Sequence, residues 1–383
     1  MNDEFAVVPL AGKVRVMALE LSPQYGPDVR LPVYWSFADF KNYHHKLVGS
    51  GRSAIGAGAW WLQQQERRQY RGVVYAPNQD VPEFFNLWRG FAIGPAPGYC
   101  DLYLQHLLEV ICAGNEAHFA YLLDWMAYTI QNPDKPGRTV IVLKGGEGVG
   151  KGAAVEPFRR MFGPHFRLAD KSSHLVGKFN AHLWCCSFIF ADEATFAGDR
   201  SIDGALKSLV TSPTLTIEPK GFEQIQVPNC LSVVMASNND WVVPAGPDAR
   251  RFFMLVVSSH RRGDDAYFAS LRSELENGGA PALLDMLLKR DVSRFDHERD
   301  MPATEALEMQ KAYSRRGIDA LIDYLTDEGE LPHAFKHEPW SASTKGALNN
   351  PPTGFYEAAR KIAPDLRRMS DRTIKRELIA NWE

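Results

Sequence analysis

Several groups of residues in this chain have the types and the spacing to work on a polyphosphate. The first is Gly145, Gly146, Glu147, Gly148, Val149, Gly150, Lys151 and Gly152. Glycine there lets successive backbone N–H groups turn inward around a phosphate, because no Cβ blocks the approach or the positive φ angles it requires. Lys151 then reaches the β and γ phosphates, with the positive end of a following helix behind them. The motif ordinarily has Ser or Thr after its lysine to ligate Mg²⁺, and this chain has Gly152.

The second group is Asp192-Glu193, which ends the apolar run Leu183 to Ala191. In a parallel sheet the first carboxylate sits at the C-terminal end of its strand, beside the phosphate loop, and holds Mg²⁺ through water; the second orients or deprotonates the attacking water. Taken alone, the pair reads as a strand ending in a solvated acidic turn. Downstream of a glycine loop, the catalytic reading is the better one. Asn238 follows the apolar stretch Leu231 to Ala236 and supplies an amide that can polarise the water or the γ-phosphate between the two carrier strands. Arg250 and Arg251 are either a surface cluster or a source of positive charge for a neighbouring subunit's phosphates. Lys220, between Pro219 and Gly221, marks the basic tip of a hairpin whose arms alternate apolar and polar residues from Thr214 to Val227.

These groups need strands and helices to hold them. Thr139 to Leu143 is β-branched and apolar, and Ala153 to Phe162 is compatible with a helix, so the glycine loop joins strand to helix. Upstream, apolar residues from Leu104 to Ile130 recur at helical spacing and divide into two helices at Gly114-Asn115. The N-terminal stretch alternates short apolar runs with Gly and Pro breaks, a β-rich start, and Ser36 caps a helix expected to reach Leu47. Beyond Ser258 the spacing is helical throughout. The last two helices, Phe355 to Ile362 and Ser370 to Ile379, fall in a stretch where seven Lys or Arg stand against four Asp or Glu between Phe355 and Glu377. They suit a helix-turn-helix or a winged-helix unit that stops before its wing, and equally a plain helical cap. The expected division is a mixed α+β and helical N-terminal domain (1–134), an α/β core (135–260) and a helical C-terminal domain (261–383).

A chain of 383 residues with 45% apolar and 23% charged residues is that of a soluble globular protein with more than one domain. The formal net charge of −3 gives no global basic signature, so any nucleic-acid contact has to come from a local patch or from a pore lined by several subunits. The five cysteines contain no CxxC pair and read as free thiols in a reducing cytoplasm, without a structural zinc. No leader pattern opens the chain and no run approaches membrane-spanning length, so a cytosolic protein, in a bacterial host, is expected. The aromatics between Trp60 and Trp88 read more readily as core than as a base-stacking platform.

The order of glycine loop, acidic strand, basic-tipped hairpin, amide-ended strand and arginine pair resembles the superfamily 3 helicases. More narrowly, it resembles the helicase module of phage and plasmid primase-helicase proteins, the poxvirus-primase-like group. The resemblance rests on residues 145–152, Gly-Lys-Phe-Asn at 177–180, Ile-Glu-Pro-Lys-Gly at 217–221, Ala-Ser-Asn at 236–238 and Asp-Ala-Arg-Arg-Phe at 248–252, with flanks at 67–72 and 86–91. It implies an AAA+ P-loop NTPase core assembled as a homo-oligomeric ring, a hexamer, with ATP and Mg²⁺ between subunits. Residue by residue it implies Gly145 to Gly152 and Lys151 on the phosphates, Asp192 helping to hold Mg²⁺, Glu193 activating water and Asn238 as sensor. Arg250 or Arg251 would be the finger acting on the adjacent subunit, Arg251 being favoured because it directly precedes its strand. Lys220 would grip single-stranded DNA in the central pore, and the family's activity is 3′-to-5′ translocation on single-stranded and forked DNA. Two departures stand out. The carboxylates of a primase are not evident upstream, so any priming is expected from another chain, a separate primase or primase-polymerase, or from a segment missing from this sequence. Gly152 offers no hydroxyl, so Mg²⁺ is expected on phosphates, water and Asp192. The alternatives are a nucleotide-dependent DNA-binding assembly protein without motor activity, or another P-loop motor such as a packaging ATPase or a protein remodeller.

Overall fold

A computed structural model of the chain describes residues 1–23, 30–50, 54–169, 175, 177, 180–193, 200–218, 223–239, 242–243, 245, 249–314, 317–328 and 346–382. They form two compact units, Met1–Val243 with Arg250–Leu307, and Pro244–Ala249 with Glu308–Glu383.

The first unit opens with an antiparallel meander, β1 (Phe5–Leu10), β2 (Lys13–Leu21) and β3 (Arg30–Trp35). Ala11 and Gly12 join β1 to β2, both at positive φ (46° and 71°), as a two-residue turn matched to strand twist requires. Phe5, Val7 and Val16 pack on Phe40 of α1 (Phe37–Tyr43) and Trp61 of α2 (Ala57–Gln63). Ser36 caps α1 by accepting the Asp39 N–H at 3.0 Å. The helix stops at Tyr43, short of the expected Leu47, because the His44 and Lys46 carbonyls accept instead from Gly58 and Ala57.

Two helices follow. α3 (Asp101–Gln105) continues as a π-helical turn, His106–Ile111, and α4 spans Glu116–Gln131, capped by Asn115. Beyond them come β4 (Val140–Lys144), α5 (Lys151–Phe162), β5 (Phe166–Ala169), β6 (Phe188–Asp192), α6 (Arg200–Thr211), the hairpin arms β7 (Thr214–Ile217) and β8 (Ile225–Pro228), β9 (Ser232–Ser237) and β10 (Phe252–Val256). Five of these strands make one parallel sheet in the order β10-β4-β9-β6-β5. Residues on both faces of its central strands are buried, Ile141 and Leu143 on one face, Val140 and Val142 on the other, which is why these strands read as unbroken apolar runs.

One continuous core joins the helices before residue 135, the sheet, α5, and the helices after residue 260, namely α7 (Asp265–Glu274) and α8 (Ala280–Lys289). Phe188 lies at its centre, stacked 4.4 Å from Phe158 and 5.7 Å from Phe166. Truncating such a ring to alanine costs about 3–5 kcal/mol. The aromatics Trp61, Tyr75 and Phe85 are buried, whereas Trp60 and Phe84 are partly exposed.

The second unit carries α9 (Glu305–Ser314) at its boundary, then α10 (Ile318–Glu328), α11 (Phe355–Ile362) and α12 (Asp371–Asn381). Leu321, Leu325, Phe355, Leu366, Ile374 and Leu378 form its own core. Among the described residues no helix is long and apolar enough to cross a membrane, and Cys100, Cys112, Cys185, Cys186 and Cys230 are all free and buried.

Candidate nucleotide site

β4 ends at Lys144 and α5 starts at Lys151, so the glycines bridge strand to helix. Gly148 and Gly150 adopt φ of 72° and 100°, conformations that side-chain-bearing residues rarely hold. Gly150 is constrained twice. A Cβ on it would stand 2.6 Å from His106 Cε1 and 2.9 Å from Phe268 Cε1. A Cβ on Gly152 would meet nothing within 4 Å, so the missing hydroxyl of the motif is not excluded by space. Lys151 Nζ donates to the Gly145 carbonyl and, at 2.8 Å, to the Gly146 carbonyl. Its burial lowers the lysine pKa, and the carboxylates Asp192, Glu147 and Glu193 oppose that shift.

β9 lies between β4 and β6, the position expected of the strand that carries the amide. Register puts Leu143 beside Ala236, and Ala236 beside Asp192, so three strand ends finish level. The Gly145 N–H donates to the Ser237 carbonyl at 3.0 Å, which fastens the start of the glycine loop to the Asn238 strand. Glu193 leaves β6 at φ 58°, a left-handed conformation costly for a glutamate. Backbone strain of this kind is held only where the surroundings over-determine it, and it gathers at working sites.

A cleft of about 630 Å³ opens over these strand ends. The loop from Glu147 to Ala153 lines it, together with Asp192, Glu193, Ser237 and Asn238. Its far wall comes from residues without any motif: Phe268, Leu271 and Leu275 are its apolar part, and Arg272 and Glu276 its polar part. Arg160 spans one side, holding Glu156 at 3.0 Å within α5 and Glu276 at 3.3 Å across the cleft. Burial alone would raise the Glu156 pKa, but the bonds from Arg159 and Arg160 outweigh it and hold the carboxyl low.

His106 supports the loop from beneath. It is fully buried, its Nε2 lies 3.1 Å from the Gly150 carbonyl and its Nδ1 lies 3.1 Å from the Tyr267 hydroxyl. A carbonyl only accepts, so Nε2 carries the proton and Nδ1 accepts from Tyr267. Burial pulls its pKa down to about 4, consistent with that neutral tautomer. Tyr267 in turn lies under the Arg261 guanidinium at 4.6 Å, and the next residue, Arg262, is exposed near Gly146.

The arginine pair does not enter this cleft. Phe252 pairs with Val140 at the first residue of β4, so Arg250 and Arg251 stand at the opposite end of the sheet, roughly 13 Å of strand from the loop. Arg250 is exposed and pairs with Glu298 at 2.8 Å. Arg251 is half-buried, with its Nε enclosed and without an acceptor among the described residues. Lys220 lies outside the described residues, as do Lys178 and Phe179. The arms of the hairpin are in register from Thr214–Pro228 to Ile217–Ile225. Asn180 holds the first arm, donating to the Thr216 carbonyl and accepting the Glu218 N–H, each at 2.9 Å.

Sequence reasoning brought the loop, Asp192, Glu193 and Asn238 to one place and missed His106, Arg160, Arg262 and the far wall. Helical periodicity marked Phe268, Leu271 and Leu275 only as helix residues. No local signal reports contacts between positions so far apart in the chain.

Residues 143–251 match a protein family of unknown function (DUF5906). A DNA primase-polymerase of Nitratiruptor phage NrS-1 is 25% identical over 140 residues, 36% of this chain. The chain spans only about a fifth (19%) of that relative's length. Two solved structures of the NrS-1 C-terminal region superpose with TM-scores of 0.63 and 0.62, at 16% and 15% identity, over 85% of this chain and 75% of those. This chain shares that region's fold. It is a mixed α/β protein with a five-stranded parallel sheet, similar in sequence over 140 residues to a phage primase-polymerase and similar in fold to that protein's C-terminal region.

Proposed function

We propose that the chain is an ATP-driven DNA helicase of a phage, plasmid or other mobile element, built on an AAA+ core and working as a hexameric ring that moves 3′-to-5′ on single-stranded DNA. One observation carries the reading. Lys151, Asp192, Glu193 and Asn238 converge on one cleft at the C-terminal ends of three adjacent strands, whereas Arg250 and Arg251 stand at the other end of the same sheet. Arginines there do not line that cleft, which supports a role for them at a neighbour's cleft in a head-to-tail ring.

In this reading Lys151 leaves the Gly145 and Gly146 carbonyls for the β and γ phosphates, while loop N–H groups hold the phosphate oxygens. Glu193 accepts a proton from the attacking water and Asn238 orients that water. Exposure favours Arg250 over Arg251 as the trans-acting finger, once Glu298 releases it. Among the described residues no group of three or more acidic, His or Cys side chains forms a metal site of its own. Asp192 would hold Mg²⁺ together with water and phosphate oxygens of the nucleotide, and Gly152 stands beside open space. When bound, the ion neutralises charge developing on the transferred phosphoryl group.

Steady-state ATP hydrolysis with and without single-stranded DNA tests the proposal. Turnover that the strand stimulates is expected. Gly152 gives one specific ground for the alternative, a nucleotide-dependent assembly protein that does not hydrolyse ATP. Nucleotide binding without turnover in either condition would decide for that alternative.

A further inference from the structure

The second compact unit carries a surface that the nucleotide site does not use. Between residues 367 and 376 the chain places Arg367, Arg368, Arg372, Lys375 and Arg376 against a single acid, Asp371. Asp371 is already engaged by Arg360 from α11. Ile374 and Leu378 turn inward to the unit's core, so helical geometry turns Arg372 and Arg376 outward with Lys375 at their flank. Arg367 and Arg368 are exposed on the 3₁₀ turn just before α12. Among the described residues no carboxylate neutralises Arg367, Arg368 or Arg372; Arg376 pairs with Glu377 at 2.8 Å but stays 72% exposed. A shallow groove of about 790 Å³ runs along this face, lined by Arg372, Thr373, Lys375, Arg376, Ile379 and Ala380.

We infer that this face of α12 and the turn before it form a binding site for the phosphate backbone of duplex DNA, separate from the nucleotide cleft. A compact set of arginines, three of them without a carboxylate partner among the described residues, in a chain whose overall charge is −3, is an electrostatic footprint for a polyanion. The site takes a duplex because its charges run along one face of a rigid helix of 11 residues, about 16 Å long and of a width that a DNA groove admits. Single-strand sites combine a positively charged groove with aromatic platforms on which bases stack. The groove is lined by no aromatic residue among those described. Arginine on phosphate gives affinity without sequence preference, and that affinity falls with salt.

Fluorescence anisotropy of the full chain with a labelled blunt duplex, and with its single strand, at several salt concentrations tests this. Replacing Arg367, Arg368, Arg372 and Arg376 together by alanine is expected to weaken duplex binding at least tenfold at low salt. It should flatten the plot of log affinity against log salt by about 0.9 for each phosphate no longer neutralised. Single-strand affinity and ATP hydrolysis without DNA should change less than twofold. The matching set of lysine replacements should keep duplex affinity within about threefold, because phosphate recognition here is by charge, and this variant guards against loss by misfolding. Unchanged duplex binding in the alanine variant, an equal loss for the single strand, or no duplex binding by the native chain at low salt would each overturn the inference.

Discussion

The two ends of the parallel sheet treat their charges in opposite ways. At the C-terminal end, Lys151, Asp192, Glu193 and Asn238 face a common cleft, two glycines hold left-handed backbone, and Glu193 is kept at positive φ. At the N-terminal end, Arg250 is exposed and paired with Glu298, and Arg251 is partly buried in the fold. Under the proposed function one end holds the ligand and the other makes a subunit contact. In the proposed ring each end of the sheet is half a site, and stacking subunits head to tail joins the halves.

The largest expected effect breaks the ligand end. Glu193→Gln removes the proton acceptor but keeps the shape, and turnover should fall by roughly a hundredfold or more while a fluorescent ATP analogue still binds. Normal turnover would move the base elsewhere. At the contact end, Arg250→Ala should cost roughly a hundredfold in turnover, again with binding kept, since the transition state is deprived of one stabilising cation. If Arg251→Ala shows that loss and Arg250→Ala does not, the assignment between the two reverses.

Gly150→Ala sharpens the comparison differently, because it disturbs only the end that holds left-handed glycine. The added methyl meets His106 and Phe268 in a backbone that resists it. A cost of about 1–3 kcal/mol is expected, seen as a lower melting temperature and weaker nucleotide binding. A variant as stable as the native chain would show that the loop is not braced from beneath.

His106 supplies a pH test. It, His165 and His297 are each held down to about 4 by burial, against an ordinary value near 6.5. Between those values the unfolded chain takes up protons that the folded chain refuses, so stability is full above the ordinary histidine pKa and is lost as pH falls towards 4. Melting temperature measured from pH 7 down to pH 4.5 should drop, and a flat profile would contradict the buried neutral imidazoles. The smallest effect is expected from Gly152→Ser. The site has space for the side chain, so the variant should fold normally and reach half-maximal activity at a several-fold lower Mg²⁺ concentration.

Much of the ligand end was legible because its signals are local. The glycine spacing, the acidic pair closing an apolar run, and the amide closing another each sit within a few residues, and parallel pairing then brings them level. The bracing was not legible. His106, Gly150 and Tyr267 meet only in the folded chain, and a π-helical turn leaves no periodic mark that separates it from an α-helix. β5 escaped for a different reason: it has four residues, its Leu168 is exposed at the sheet edge, and its Arg167 is buried, which inverts the usual pattern. The turn at 132–137 looked like a division between domains, yet the α4 helix before it and the sheet after it share one core.

The central claim is that a working site is assembled from two subunits, and mixing tests it directly. Lys151→Ala disables the cleft and leaves the arginines, and a chain carrying both Arg250→Ala and Arg251→Ala does the reverse. Each should be inactive alone. Mixed in equal amounts they should recover ATP hydrolysis, with about a quarter of the interfaces pairing an intact cleft with intact arginines. A mixture that forms rings and stays inactive would contradict the account.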